Sequence, residues 1–266
     1  GYTIPFLTPG TYAVLVNKDG FRAALRDGVR LEVNQIARLD FSLEVGAVTE
    51  TVEVTGAAPA LESDSSSVGQ VIEQKAIADL PLNGRNFVQL AILGPGVTGV
   101  GFGASGTIMS GNRPDDLRPG SELFSNGNRE GSNNFLYDGV DNNERLTLAI
   151  TLRPSVEAVR EFKIQTNLFS AEQGRNAGAT VNVISKSGSN QWHGSLYEFL
   201  RNDRLDARQY FAAPSAKKPS FRQNQFGGSV GGKIIENKLF FFGNYEGFRK
   251  SQENAAVVTV PTAAIR

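Results

Sequence analysis

Residues 238–250 read KLFFFGNYEGFRK, and residues 221–232 read FRQNQFGGSVGG. In the first stretch Leu239, Phe241, Gly243 and Tyr245 fall on one side of an extended chain, with Asn244 and Glu246 on the other. In the second, Phe226, Gly228 and Val230 oppose Gln223, Gln225 and Ser229. Successive side chains of a strand point to opposite faces, so each stretch predicts one apolar and one polar face. A third stretch of this kind, QWHGSLYEFLRND at residues 191–203, precedes them. The later two are expected to be joined by a short turn, KIIEN, and the earlier two by a long polar loop, RLDARQYFAAPSAKKPS. Strands of about ten residues with alternating short and long connections fit a transmembrane β-barrel. The same alternation fits a soluble sandwich whose apolar face is its core, and periodicity alone leaves both open.

Composition narrows the rest. A chain of 266 residues allows one or two domains with real cores. Its 27 basic and 27 acidic residues cancel, so no global field points to nucleic acid. With 29 glycines, 17 phenylalanines and one methionine, the chain is turn-rich and β-rich rather than a helical bundle. The absence of cysteine excludes disulfides and thiolate metal sites, and the single histidine, His193, argues against a zinc centre. No apolar run is long enough for a membrane-spanning helix. The chain starts without methionine or signal peptide and reads as a fragment or an incomplete gene.

Residues 1–46 alternate with period two and predict a small β-sandwich. Tyr12, Val14 and Val16 line one strand, Val29, Leu31 and Val33 a second, and Ala37, Leu39, Phe41, Leu43 and Val45 a third. Residues 47–70 read as a linker containing one strand-competent run, Glu50, Thr51, Val52, Glu53, Val54 and Thr55, ahead of a Pro/Ser/Ala stretch. Residues 71–190 read as mixed α/β. Helices are expected at residues 73–80, stopped by Pro81, and at residues 85–93, ending at Gly94; Pro154 opens a helix that passes into a strand. ATVNVISK at residues 179–186 predicts another strand, with Val181 and Val183 on one face. In NFLYDGVDNNE, residues 134–144, Asp138-Gly139 between β-forming residues predicts a tight hairpin turn. Residues 191–266 supply the long amphipathic strands.

The order of these pieces resembles a known family. VIEQKAIADLPLNGRNFVQLAILGPGV, then NFLYDGVDNN, then SVEAVREFKIQTNLFSAEQGRNAGATVNVISKSGSNQWHGSLYEF are similar to the plug domain of TonB-dependent outer-membrane receptors. FLTPGTYAVLVNKDGF resembles a carboxypeptidase regulatory-like domain, a non-catalytic transthyretin-like sandwich. That module followed by LPLNGRNF resembles the Oar-like receptors of this family. The resemblance implies a mainly β chain with a small α/β part: a truncated sandwich (1–46), a linker with an energy-coupling segment (47–70), an α/β plug (71–190) and the first strands of an antiparallel outer-membrane barrel (191–266). A full barrel of this kind has about 22 strands. The resemblance further implies a Gram-negative outer-membrane location, an inner-membrane TonB-like partner, an extracellular ligand, surrounding lipid, no cofactor and no enzymatic activity.

Each candidate site has a plainer counterpart. GFGASG at residues 101–106 fits a dinucleotide fingerprint literally but lacks the strand before it and the helix after it. Asp138, Asp141, Asn142 and Glu144 lack the order of a calcium loop, so the Asp138-Gly139 carboxylate reads as structural. Arg113, Asp115, Asp116, Arg118, Asn126, Asn128 and Arg129 either line an outward surface where substrate lands or are solvated loop residues. Arg153, Glu157, Arg160, Glu161 and Arg175 are expected to pair across the lumen with inward carboxylates such as Glu198 and Glu246. Residues 50–55 are either a coupling strand that adds to a partner's sheet edge or the last strand of the sandwich. A soluble or cell-surface β-rich binding module, carbohydrate-binding in kind, is the alternative to the transporter.

Overall fold

The computed structural model describes residues 1–46, 51–53, 66–99, 123–145, 150–173, 176–208, 210 and 218–253, mainly as β-strands. It divides into two units, Gly1–Ser185 and Lys186–Arg266.

In the first unit β1 (Gly10–Val16) pairs antiparallel with β2 (Ala23–Leu31). On the other edge of β2, β3 (Thr51–Glu53) pairs in parallel, with Ala23 opposite Thr51 and Leu25 opposite Glu53. Tyr12, Val14 and Val16 share the more buried face of β1, as the alternation predicts. Residues 37–45 correct the expected third strand. They keep the alternating exposure but form no ladder, and only their end is tied down, through a Phe21–Val45 bridge and the Arg22 N–H donating to Glu44 O at 2.9 Å. The reason lies upstream: Asn34 takes φ 53°, which turns the chain away after β2, while β3 takes the other edge of β2. The described residues here make one three-stranded sheet.

The remainder of this unit is built on a mixed sheet. Its strands are β4 (Val68–Glu73), β7 (Asn134–Tyr137), β8 (Val140–Asp141), β9 (Val159–Asn167) and β10 (Thr180–Ser185), ordered β4-β9-β10-β7-β8. Only β10 and β7 are parallel. A separate pair joins β5 (Val97–Gly99) to β6 (Leu123–Ser125). Register sets Ile72, Phe162, Val183 and Tyr137 in one row. Ile164, Val181 and Phe135 occupy another row on the same face. Against this face pack α1 (Gln74–Asp79), through Ile77, and a 3₁₀ segment Phe87–Leu93, through Phe87, Val88, Leu90 and Ala91. Phe87 meets Phe162 with ring centroids 5.5 Å apart.

The segment 87–93 is 3₁₀ throughout, not the α-helix expected, and Asn86 caps it by accepting from Val88 N–H at 3.2 Å. Gly94 ends it without the left-handed conformation of a usual glycine cap, at φ −71°. It is glycine for closeness: a Cβ there would stand 2.8 Å from Ile164 Cγ2.

The second unit is an antiparallel meander of β11 (His193–Asn202), β12 (Phe221–Ile235) and β13 (Leu239–Gln252). At 10, 15 and 14 residues, each is as long as or longer than the roughly 9–11 residues a tilted strand needs to cross a bilayer. The tight connection is later than predicted. Lys233 to Ile235 stay in the strand, and the chain reverses at residues 236–238, where Asn237 takes φ 58°. Glycines in β12 and β13 form slots for large neighbours. A Cβ on Gly227 would lie 2.6 Å from Tyr197 Oη, one on Gly231 2.7 Å from His193 Nε2, one on Gly232 2.8 Å from the Trp192 ring, and one on Gly247 2.7 Å from Phe226.

Candidate functional site

Register assigns the two faces of the meander. Leu196, Gly228 and Tyr245 stand in one row, and Gly194, Val230 and Gly243 in another on the same side. This face leaves Leu196 92% exposed, with Leu200, Val230, Leu239 and Tyr245 also exposed. An apolar middle across three strands is what contact with lipid requires, and Asn224 and Arg249 stand at one end of it. At its tight-turn end Trp192 sits edge-on to Phe241, centroids 5.4 Å apart.

The opposite face carries Ser195, Tyr197, Gln223, Gln225, Ser229, Asn244 and Glu246, along with Phe199, Phe242 and Phe248. Its centre is a hydrogen-bonded carboxylate. Glu246 Oε2 accepts from Tyr197 Oη at 2.9 Å and from Gln225 Nε2 at 3.1 Å, and Gln225 is buried. Ser195 and Ser229 hydroxyls meet at 2.9 Å. Glu198 is corrected by the same register. It stands opposite Phe226, between Leu196 and Leu200, so it shares the apolar face and cannot point inward together with Glu246.

In the first unit, Asp138 and Gly139 take φ 49° and 80° and close the hairpin between β7 and β8. The carboxylate is structural in its contacts: Asp138 Oδ1 accepts from Ser185 N–H at 2.8 Å, and Asp138 N–H donates to Val183 O at 2.9 Å. Burial, with the neighbouring Asp138 charge, raises the Tyr137 phenol above its ordinary pKa, and a hydrogen bond with Ser185 opposes this.

The asparagines around the hairpin are buried parts of a core, a role the sequence alone did not assign them. Asn133 is fully buried; its Nδ2 donates to Leu123 O at 2.6 Å and its Oδ1 accepts from Ala179 N–H at 3.0 Å. Asn142 brackets Leu152, donating to its carbonyl and accepting from its N–H, both at 2.8 Å. Asn143 Oδ1 accepts from Phe135 N–H at 2.9 Å. Buried irregular backbone needs such partners, and short amide side chains supply a donor and an acceptor together. A run of asparagines next to a β-forming stretch was the available signal.

Of the loop candidates, Asn126 donates through Nδ2 to Thr166 O at 2.7 Å, Asn128 donates to Ala177 O at 3.1 Å, and Arg129 is exposed. Arg113, Asp115, Asp116 and Arg118 lie outside the described residues, as do Arg175, Glu50, Val54, Thr55 and the GFGASG stretch. Thr51, Val52 and Glu53 form β3. Glu157 pairs with Arg85, both largely shielded from solvent. Arg153 and Arg160 are half-buried. Glu161 is buried on the polar side of β9 and accepts from Val33 N–H at 2.9 Å. Burial holds its carboxyl above the ordinary range, against the Val33 hydrogen bond and the charge of Arg160. Among the described residues no three histidine, cysteine or carboxylate groups converge as a metal site would require.

Comparison with known proteins gives these faces a context. Residues 184–266 match the family model of an outer membrane beta barrel domain. Over 255 residues, 92% of its length, the chain is 28% identical to the TonB-dependent transporter Oar of Myxococcus xanthus, spanning 22% of that protein. Among solved structures it is similar to the siderophore receptor PirA from Acinetobacter baumannii, at TM-score 0.48 and 23% identity, covering 73% of this chain and 26% of that one. It is also similar to the outer membrane transporter YddB from Escherichia coli, at TM-score 0.47 and 12% identity, covering 70% and 30%. The resemblance to TonB-dependent outer-membrane receptors drawn from the motifs thus recurs over nearly the whole chain, and the outer membrane of a Gram-negative cell is its location.

Proposed function

We propose that the chain is the N-terminal part of a TonB-dependent outer-membrane transporter, not an enzyme. The observation carrying this reading is the meander. Three long antiparallel strands present an exposed apolar side to lipid, and a polar side centred on Glu246 to a wet lumen. On this reading residues 71–190, from within β4 past the end of β10, form the plug that closes the pore. The sheet of residues 1–46 is the periplasmic regulatory-like sandwich, of which one layer is described. Substrate arrives from outside over the loops bearing Arg113, Asp115, Asp116, Arg118, Asn126, Asn128 and Arg129. Glu157, Arg160, Glu161, Arg153 and Arg175 belong to the plug, and Glu246 belongs to the polar side of the wall.

The outer membrane holds no useful potential, so work must be drawn from the inner membrane, where about 2.3 kcal/mol is available per charge per 100 mV. An inner-membrane TonB-like partner would grip residues 50–55. The parallel β2–β3 pairing of three residues is short, which suits a strand that must be given up to a partner's sheet edge. Fractionation of cells expressing the full-length gene is expected to place the protein in the outer membrane, with ligand uptake that requires the proton gradient. A product that is monomeric in buffer without detergent would support the binding-module reading instead and overturn this one.

A further inference from the structure

The polar side of the mixed sheet is buried at its middle. Glu161, Lys163 and Gln165 of β9 and Asn182 of β10 are all under 10% exposed, although alternation would place them in solvent. What covers them is a turn that follows β2. Gln35 N–H donates to Glu32 O at 3.2 Å, and Glu32 N–H donates to Gln35 Oε1 at 2.8 Å, closing residues 32–35 with Val33 and Asn34 at the tip. Val33 is buried at 2% exposure and Asn34 takes the left-handed conformation that asparagine tolerates.

From that tip hydrogen bonds reach across two strands. Val33 N–H donates to Glu161 Oε1 at 2.9 Å, Asn34 Nδ2 to Gln165 Oε1 at 3.4 Å, and Asn182 Nδ2 to Asn34 Oδ1 at 3.0 Å. Lys163 Nζ reaches Asn34 O at 3.5 Å. Beside the turn, Arg30 pairs with Glu73 of β4 at 2.7 Å. The turn therefore holds β9 and β10, while Arg30 of β2 beside it holds β4.

We infer that the turn at residues 32–35 is a latch: while seated it joins the N-terminal sheet to the polar face of the mixed sheet, and its withdrawal opens that face to water. Glu161, Lys163, Gln165 and Asn182 then exchange the turn for solvent, a polar surface that hydrates readily once uncovered. The latch lies on the same chain segment that leads to β3, so tension on residues 51–53 travels back through residues 37–46 toward it as well as forward toward β4. Its part in gating rests on the transporter reading above; the seating of the turn does not.

Amine labelling of the full-length protein tests it, with Lys163 as the reporter and the exposed Lys75 as the internal reference. Formaldehyde and borohydride are expected to methylate Lys163 at least tenfold more slowly than Lys75 in the parent protein. Asn34→Gly keeps the positive φ and removes the side-chain bonds, and Asn34→Ala removes both; each is expected to raise Lys163 labelling tenfold or more with Lys75 unchanged. The milder Arg30→Ala, which leaves the turn intact, is expected to give a smaller rise and keeps the test open if an Asn34 variant fails to fold. Lys163 labelled at the Lys75 rate in the parent, or as slowly in all three variants as in the parent, would overturn the latch. In cells, labelling of Lys163 is expected to rise with the proton gradient. Equal labelling with and without it would remove the gating role, while uptake itself, measured separately, decides the transporter reading.

Discussion

Asp138 Oδ1 accepts the backbone N–H of Ser185 at 2.8 Å, fastening the tip of the β7–β8 hairpin to the last residue of β10, 47 positions later. Asp138 thus serves two purposes, taking the positive φ of the turn and holding the exit of the sheet. Asp138→Asn, which tolerates the same φ and keeps an acceptor, is expected to cost less than about 0.5 kcal/mol, and Asp138→Ala about 1–2 kcal/mol. Denaturant unfolding of the detergent-refolded protein measures the difference, and equal losses for the two substitutions would remove the hydrogen bond from the account.

Phe162 lies at the centre of the apolar side of the mixed sheet, fully buried against Phe87. Phe162→Ala is expected to destabilise this unit by about 3–5 kcal/mol, and Phe162→Leu by less than half of that. Proteolysis of the native protein, read by where the chain is cut, would report the loss.

Burial raises the Glu161 carboxyl above its ordinary value, so the folded state holds that proton more tightly than the unfolded one. A raised carboxyl costs stability above its folded pKa, and the cost fades as pH falls through that value toward the ordinary carboxylate range. Glu161→Gln keeps an acceptor for Val33 N–H and removes the buried charge. The variant is expected to be more stable than the parent at neutral pH, with the gap closing on acidification. A gap that widens in acid would contradict the burial argument.

The glycine slots of the barrel meander make a steric prediction. Gly231→Val places branched carbon against the His193 ring, and Gly227→Val places it against Tyr197 and the Tyr245 carbonyl. Both are expected to prevent β11 from docking, seen as loss of the heat-dependent shift in gel mobility that a folded barrel gives. Gly243→Ala meets nothing within 4 Å and is expected to fold normally. Tyr197→Phe, which removes the bond to Glu246, is expected to cost about 1 kcal/mol.

Deleting residues 50–55 is expected to abolish energised uptake while leaving ligand binding in place, and unchanged uptake would reject the coupling assignment.

The faces of β12 and β13 could be read from sequence because period-two alternation survives there without competition. The Asp138-Gly139 turn was equally legible, since positive φ at two successive positions restricts residue choice so strongly. The fate of Glu198 was not. Its carboxylate suggests a wet face, but parity with Leu196 and Leu200 decides the matter, and charge misled where counting would not have. Residues 37–45 alternate as well as any strand in the chain, yet they form no ladder, and nothing local records that β3 pairs with β2 in their place. The covering turn was invisible for a related reason. Val33 and Asn34 extend the pattern of β2, and only the meeting with β9, about 130 residues away, shows what they touch.

β10 is the innermost strand of its sheet and the last to be made, with β9 on one side and the parallel β7 on the other. A chain exported amino end first therefore reaches the periplasm with its central slot empty until residue 185 has emerged. Until then β7 and β9 have bare edges, and such edges invite pairing with the wrong chain. The strand order thus sets a hazard in the making of this protein that lasts until β10 fills its slot.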